Sequence, residues 1–262
     1  SWAADPQGVT PLDVNLSISQ PELDGVIHGG VVACQTFDEQ GHYMYLPVKE
    51  RISAVVQRAI KWSKLRHIPV EERKVAIILH NYPPKNSNIG SAAGLDTPES
   101  VLRLLRQMQA EGYSIDSVPE TSAALMDVVI SHMTNDRSML TDELLASAEG
   151  RMSSDDYRAY FATLPEDIQK AMVASWGEAP GDVFVYDDEV IIPGFSNGNL
   201  WITVQPPRGF GENVSAIYHD PCLSPPHQYL AFYHWIRTVF AADAVIHVGT
   251  HGSLEWLPGK GA

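Results

Sequence analysis

The sequence predicts an α/β protein: a mostly parallel, Rossmann-like sheet with a helical insertion at about 120–178, spanning 71–262, and before it, in 1–70, the end of a preceding α/β segment plus a connecting helix. Three observations predict this. "KVAIILH" at 74–80 is a continuous apolar run, the pattern of a central parallel strand buried on both faces. A loop and then a helix follow it, the opening of a βαβ unit. Two further short apolar runs, "LWITVQ" and "AVIHV", each end in a loop rich in Gly and Pro.

The elements follow in chain order. "DVNLSIS" alternates, with Val14, Leu16 and Ile18 on one face, and reads as a strand. "GVIHGGVVA" reads as a buried strand interrupted by Gly29 and Gly30. From Lys49 to about Leu65, Ile52, Val55, Val56, Ala59, Ile60 and Trp62 form the apolar stripe of a helix. "RHIPVEER" is a polar, proline-containing connector and marks the domain boundary. After the strand "KVAIILH" and a long loop, Thr97 reads as an N-cap with Pro98 at the first helical position, and Gly112 stops the helix.

Residues 120–178 read as helical throughout, with start signals at Ser153 or Ser154 and at Pro165, and no strand pattern. "DVFVYDDEVIIPGF" gives two short strands and "NLWITVQPPRGFGE" another. "PPHQYLAFYHWIRTVFAA" is a helix with Tyr229, Phe232, Tyr233, Ile236, Val239 and Phe240 on one face; "DAVIHVGTHGS" is the last strand and its turn.

Charge narrows the function classes. The chain has 18 basic and 32 acidic residues, net −14, and such a surface repels phosphate backbones, so nucleic acid is not an expected partner. Two distant cysteines, Cys34 and Cys222, give neither a disulfide framework nor a metal knuckle. No apolar run is long enough for a membrane span and no leader pattern opens the chain, so a cytoplasmic location is expected. The chain lacks an initiator Met and reads as an internal piece of a longer protein.

In open parallel sheets, ligands bind beyond the carboxyl ends of the strands. Three strand-ending loops carry the candidate groups: His80, Asn81 and Lys85; Gln205, Arg208 and Glu212; His251, Glu255 and Lys260. His251 is a metal ligand or proton acceptor, because neutral imidazole does both. Glu255 is an oxygen ligand or, if buried, a base. His247 stands four residues before His251 and is a third metal candidate, although a strand histidine is more often a satisfied core residue. An HExxH helix is absent, since Val248 follows His247. A Walker A loop is absent too, since Lys260 is followed by Gly261. Trp201, Phe210, Tyr218, Trp256 and Tyr82 could wall a flat apolar ligand, and His219 and His227 are further histidines. A His/Glu metallohydrolase and a non-catalytic binding or scaffold module remain alternatives.

"ADAVIHVGTHGSLEWLPGK", "VQPPRGFGE" and "VAIILHNYPPKNSNIGSAAGLDTPESVLRLLRQMQAEGY" together resemble the large, tetrapyrrole-binding subunit of the cobaltochelatase and magnesium chelatase family. The resemblance runs through nearly all of 10–262 and is closer to the cobaltochelatase branch. It implies ATP-driven insertion of a divalent metal, Co²⁺ by that branch or Mg²⁺ by the other, into a tetrapyrrole, either a corrinoid precursor or a porphyrin. It also implies two partners, an AAA+ ATPase subunit that hydrolyses the ATP and a subunit with a metal-ion-dependent adhesion-site domain. On that resemblance His251 and Glu255 are the expected catalytic and metal-handling residues, and His247 stays a metal candidate by its spacing alone. His80, Asn81, Gln205, Arg208 and Lys260 are the expected substrate-binding residues, and the piece alone is expected to be inactive.

Overall fold

The computed structural model describes residues 11–27, 30–209, 220, 222–254 and 257–258. The chain divides into two units, 1–68 with 258–262, and 69–257. The division falls within the connector "RHIPVEER".

In the first unit the strand expected at "DVNLSIS" is not formed. The segment is helical: α1 (Pro11–Val14), a π-helical turn (Asn15–Ser19) and α2 (Gln20–Leu23). A strand needs a neighbour to take its N–H and C=O groups, whereas a helix satisfies them along its own chain. The buried strand expected at "GVIHGGVVA" is not formed either: among its described residues only the last, Ala33, is in a strand, and of that strand only Cys34 is buried. That strand is β1 (Ala33–Phe37), paired antiparallel with β2 (Tyr43–Pro47), Ala33 opposite Pro47. The hairpin turn is held by Asp38, whose carboxylate accepts from the Gln40 and His42 amides at 2.9 and 2.8 Å. The expected helix forms as α3 (Lys49–Leu65), but none of its residues is buried.

The second unit is built on β3 (Val75–Leu79), every residue of which is buried. Next come α4 (Thr97–Ala110), α5 (Ser122–His132) and α6 (Asp142–Ser147). The cap of α4 is Asp96, not Thr97: the Asp96 carboxylate accepts from the Glu99 amide at 3.1 Å, which moves Thr97 inside the first turn. The helical insertion also contains a strand, β4 (Gly150–Ser153), followed by α7 (Ser154–Phe161) and α8 (Glu166–Trp176). The four residues of β4 are too short and too polar to show a period, and only pairing with β6 (Glu189–Ile192) makes them a strand. β5 (Val185–Tyr186) joins β6 through Asp187 and Asp188, both at positive φ, as a two-residue hairpin requires.

The main sheet adds β7 (Phe195–Asn197), β8 (Leu200–Val204) and β9 (Ala244–Val248), with α9 (His227–Thr238) between the last two. Its order is β7-β8-β3-β9, with β3 parallel to both β8 and β9 and β7 antiparallel at the edge. The α/β class predicted from the sequence is therefore the observed one.

Alternation along β3 divides the interior in two. Val75, Ile77 and Leu79 pack with α4 and α5 through Val101, Leu102, Leu105, Leu125 and Val129. Ala76 and Ile78 face the other way, toward Tyr157, Phe161, Met172, Phe232 and Trp235. Each such fully buried Leu, Ile or Phe side chain contributes about 1.5–3 kcal/mol. Among the described residues, no helix is long and apolar enough to cross a membrane.

Candidate functional site

Because β3, β8 and β9 are parallel and in register, their carboxyl ends fall at one edge: Leu79 lies opposite both Val204 and Val248. The pairing continues one step into the loops. The His80 amide donates to the Val248 carbonyl, and the Gln205 amide to the Leu79 carbonyl, each at 2.8 Å. The three loops singled out in the sequence therefore start side by side. The Thr250 hydroxyl ties two of them together further out, donating to the Ser91 carbonyl at 3.1 Å.

His251 sits exposed on the β9 loop, and its ring centroid is 5.6 Å from that of buried His80. Its Nδ1 lies 2.8 Å from the Gly252 carbonyl oxygen. A carbonyl only accepts, so the proton belongs to Nδ1 and the Nε2 of the neutral ring carries the lone pair. A backbone carbonyl fixing one nitrogen in this way is how proteins orient an imidazole that binds a metal or takes a proton at the other. Gly249 makes the approach possible. Its φ is +144°, and a Cβ there would come within 2.3 Å of the His80 Cβ.

The other candidates point inward. Asn81 is buried; its Nδ2 donates to the Lys85 carbonyl at 2.8 Å and its Oδ1 accepts from Asn135 at 3.0 Å. Gln205 is buried and its Nε2 donates to the Tyr233 hydroxyl at 2.7 Å. Arg208 is 2% exposed and donates from Nη2 to the Asp220 and Leu223 carbonyls, both at 3.2 Å. His247 has its Nε2 3.0 Å from the Tyr233 hydroxyl. Glu255 and Lys260 lie outside the described residues, as do Phe210, Tyr218, His219 and Trp256. Among the described residues no group of three or more His, Cys, Asp and Glu side chains is arranged to hold a metal ion.

Trp201 is not an aromatic wall. It is 3% exposed in the second core, 4.7 Å from the ring of Trp235. His227 is likewise interior. Its Nε2 donates to the Gly177 carbonyl at 2.9 Å, so its Nδ1 accepts from the Tyr157 hydroxyl at 2.8 Å. Burial holds the His227 ring below its ordinary pKa, only partly opposed by the Gly177 carbonyl and by Glu178.

Sequence reasoning missed Asn135, Tyr233 and Ser253. Buried Asn135 donates from Nδ2 to Asn81 Oδ1 and, at 2.7 Å, to the Gln205 carbonyl, so one side chain joins the β3 and β8 loops. Nothing in "HMTNDRS" signals this, because the partners are 54 and 70 residues away. Tyr233 was visible as part of the apolar face of α9, but its hydroxyl role was not. Ser253 pairs with the buried Tyr229 hydroxyl at 2.8 Å and seats the end of the His251 loop on α9.

A family model described as CobN/Magnesium Chelatase matches residues 1–262. The chain belongs to the CobN/magnesium chelatase family. It is 39% identical to the "Aerobic cobaltochelatase subunit CobN" of Pseudomonas aeruginosa, over 99% of this chain and 21% of that protein. It is 31% identical to the "Magnesium-chelatase subunit ChlH, chloroplastic" of Oryza sativa subsp. indica, over 99% of this chain and 18% of that one. Among solved structures, the "Catalytic Subunit of Cobaltochelatase from Mycobacterium tuberculosis" superposes with a TM-score of 0.81 at 38% identity, covering 99% of this chain and 22% of that one. The chain thus spans about a fifth of the length of its CobN and ChlH relatives. The family match agrees with the resemblance carried by the loop motifs at the sheet edge.

Proposed function

We propose that this chain forms part of the metal- and macrocycle-handling site of a chelatase large subunit. The reaction inserts a divalent metal into a tetrapyrrole, and two protons leave the macrocycle nitrogens as the metal enters. The observation that carries the reading is His251: an exposed imidazole at the carboxyl edge of a parallel sheet, with Nδ1 engaged by the Gly252 carbonyl and the lone pair on Nε2. That form of the ring serves both needs of the reaction, accepting a proton and delivering a metal stripped of water.

Glu255, four residues further on, is assigned as its partner in proton abstraction and metal handling. Asn81, Gln205 and Arg208 are assigned to the supporting wall, because each is buried and gives a side-chain hydrogen bond to the chain itself. His80 lines the same edge beside His251, and Lys260 is assigned to an anionic group of the macrocycle. Co²⁺ is the favoured metal over Mg²⁺. Identity is higher to the CobN relative than to the ChlH one, 39% against 31%, and imidazole suits Co²⁺ better than Mg²⁺. ATP hydrolysis is assigned, on the resemblance, to an AAA+ partner acting with an adhesion-site-domain subunit.

The test is metal insertion by the full-length subunit reconstituted with its partners. His251→Ala and Glu255→Gln should each lower turnover at least about 100-fold, the scale of losing an acid–base group. Near-normal chelation by both variants would remove these residues from the mechanism.

A further inference from the structure

We propose that Asn135, in the connector between α5 and α6, is a positioning residue for this reaction. Its one side-chain NH₂ group joins the loop after β3 to the loop after β8, directly behind His80, and so fixes the floor of the edge at which His251 stands. The role in catalysis rests on the chelatase reading above; the clamp on the loops does not.

Three observations carry it. First, two backbone carbonyls fix which way the amides face. Asn135 Nδ2 lies 2.7 Å from the Gln205 carbonyl oxygen, which can only accept. The same nitrogen gives its other hydrogen to Asn81 at 3.0 Å, so Asn81 presents Oδ1 there. Asn81 Nδ2 then meets the Lys85 carbonyl at 2.8 Å, again an acceptor only. Turning either amide over would set its oxygen against a backbone carbonyl oxygen at hydrogen-bond distance. Both side chains are buried. Among the described residues Asn135 Oδ1 has no partner, so this amide acts through its two N–H bonds.

Second, those bonds complete the hold on His80. Gln205 is the first residue beyond β8, and its amide donates to the Leu79 carbonyl at 2.8 Å. His80 comes next in the β3 loop; its amide donates to the Val248 carbonyl at 2.8 Å, and its carbonyl accepts from the Gly90 amide at 2.6 Å. Asn81 follows, and Asn135 takes it. The backbone is therefore held on both sides of His80, whose ring lies 5.6 Å from that of His251.

Third, the same connector grips the β3 loop again. The Thr134 hydroxyl donates to Asn86 Oδ1 at 2.6 Å. The connector is braced by Asp136, whose carboxylate accepts from the Ser138 amide and hydroxyl at 3.1 and 2.7 Å. Further along the β3 loop, the Ser91 carbonyl accepts from the Thr250 hydroxyl of the His251 loop. Buried Asn135 thus acts on the edge through the loops, without touching substrate. Displacing reacting groups by about 1 Å costs a rate factor of up to about 100.

Asn135→Leu keeps the branched shape of the side chain and removes both N–H bonds. In the full-length subunit, hydrogen–deuterium exchange should quicken at least about tenfold in peptides covering 80–91 and 204–208, with α7 and α8 unchanged. With its partners, assayed well below its unfolding midpoint, this variant should lower kcat about tenfold and leave KM for the macrocycle unchanged. Met172→Ala, which opens a cavity in the second core, should lose stability yet keep the wild-type kcat. Thr134→Val removes only the hydroxyl, should move both readouts in the same direction, and decides the matter if Asn135→Leu does not fold.

Unchanged exchange at the two loops, or a uniform rise along the chain, overturns the clamp. The expected exchange with unchanged kcat, or an equal loss of kcat in Met172→Ala, overturns the positioning role. Absence of chelation by the wild-type subunit overturns the proposed function and the positioning role with it, while the exchange result is read independently.

Discussion

Gly249 is the residue on which the site's geometry turns. It follows β9 directly, holds a φ of +144°, and brings the backbone against the His80 side chain. Only glycine adopts that φ without strain, and any Cβ would have to displace His80. Gly249→Ala is expected to cost at least about 2 kcal/mol, since strained backbone of this kind costs about 1–3 kcal/mol before any clash is counted. Urea denaturation measures it. Gly252→Ala is the milder comparison, because a Cβ there would press on the His247 ring at 3.0 Å with no positive φ to accommodate. Equal stabilities for wild type and Gly249→Ala would show that the loop takes another path.

At the scale of elements, α7 and α9 meet through two tyrosine–histidine pairs. Tyr157 donates to His227, and Tyr160 stacks on His234 with ring centroids 3.5 Å apart. Burial holds both histidines below the usual imidazole pKa of 6.5, with Arg237 adding to the effect at His234. It also pushes the Tyr157 phenol far above its ordinary range, so that hydroxyl remains a donor.

The sign follows from linkage: the unfolded chain binds these protons at a higher pH than the folded one, so stability rises with pH across that window. The contribution is fully present above about pH 6.5, the unfolded value. It is lost as pH falls from there toward the lower folded values. Denaturation midpoints taken from pH 8 to pH 5 should therefore fall, and His227→Gln should flatten the fall. A His227→Gln profile parallel to wild type would place the titration elsewhere. The same helix α9 carries Tyr229 and Tyr233, which hold Ser253 and His247, so this interface supports the candidate site from behind.

The whole chain spans about a fifth of its chelatase relatives. The described residues hold no cluster of three metal-binding side chains, and most of the polar groups at the sheet edge are engaged within the chain. A macrocycle needs a slot with walls on both faces, which a single sheet edge does not supply. The 262-residue chain mixed with partner subunits, metal, ATP and macrocycle is therefore expected to give no detectable metal insertion, whereas the full-length subunit gives turnover. Insertion by the chain alone, followed by the change in macrocycle absorbance, would show that the site is complete within it.

The central strand, the parallel sheet, the α3, α4 and α9 helices, and the three loops that share an edge were all legible in the sequence. This was so because apolar period and helix signals are local, and because parallel strands place their carboxyl ends together. "DVNLSIS" and "GRMS" misled for the converse reason: a short strand exists only when a partner takes its hydrogen bonds, and that partner is not local. Burial and hydrogen bonding of each polar candidate emerge only with the tertiary structure. Asn81, Gln205 and Arg208 look alike as polar loop residues in the sequence, and folding buries all three and gives each at least one side-chain hydrogen bond to the chain itself. His247 and His251 stand four residues apart, but one is bound from below by Tyr233 while the other faces solvent with its Nδ1 fixed by a carbonyl. Spacing places a side chain along the chain; only folding decides which of its atoms are already bonded.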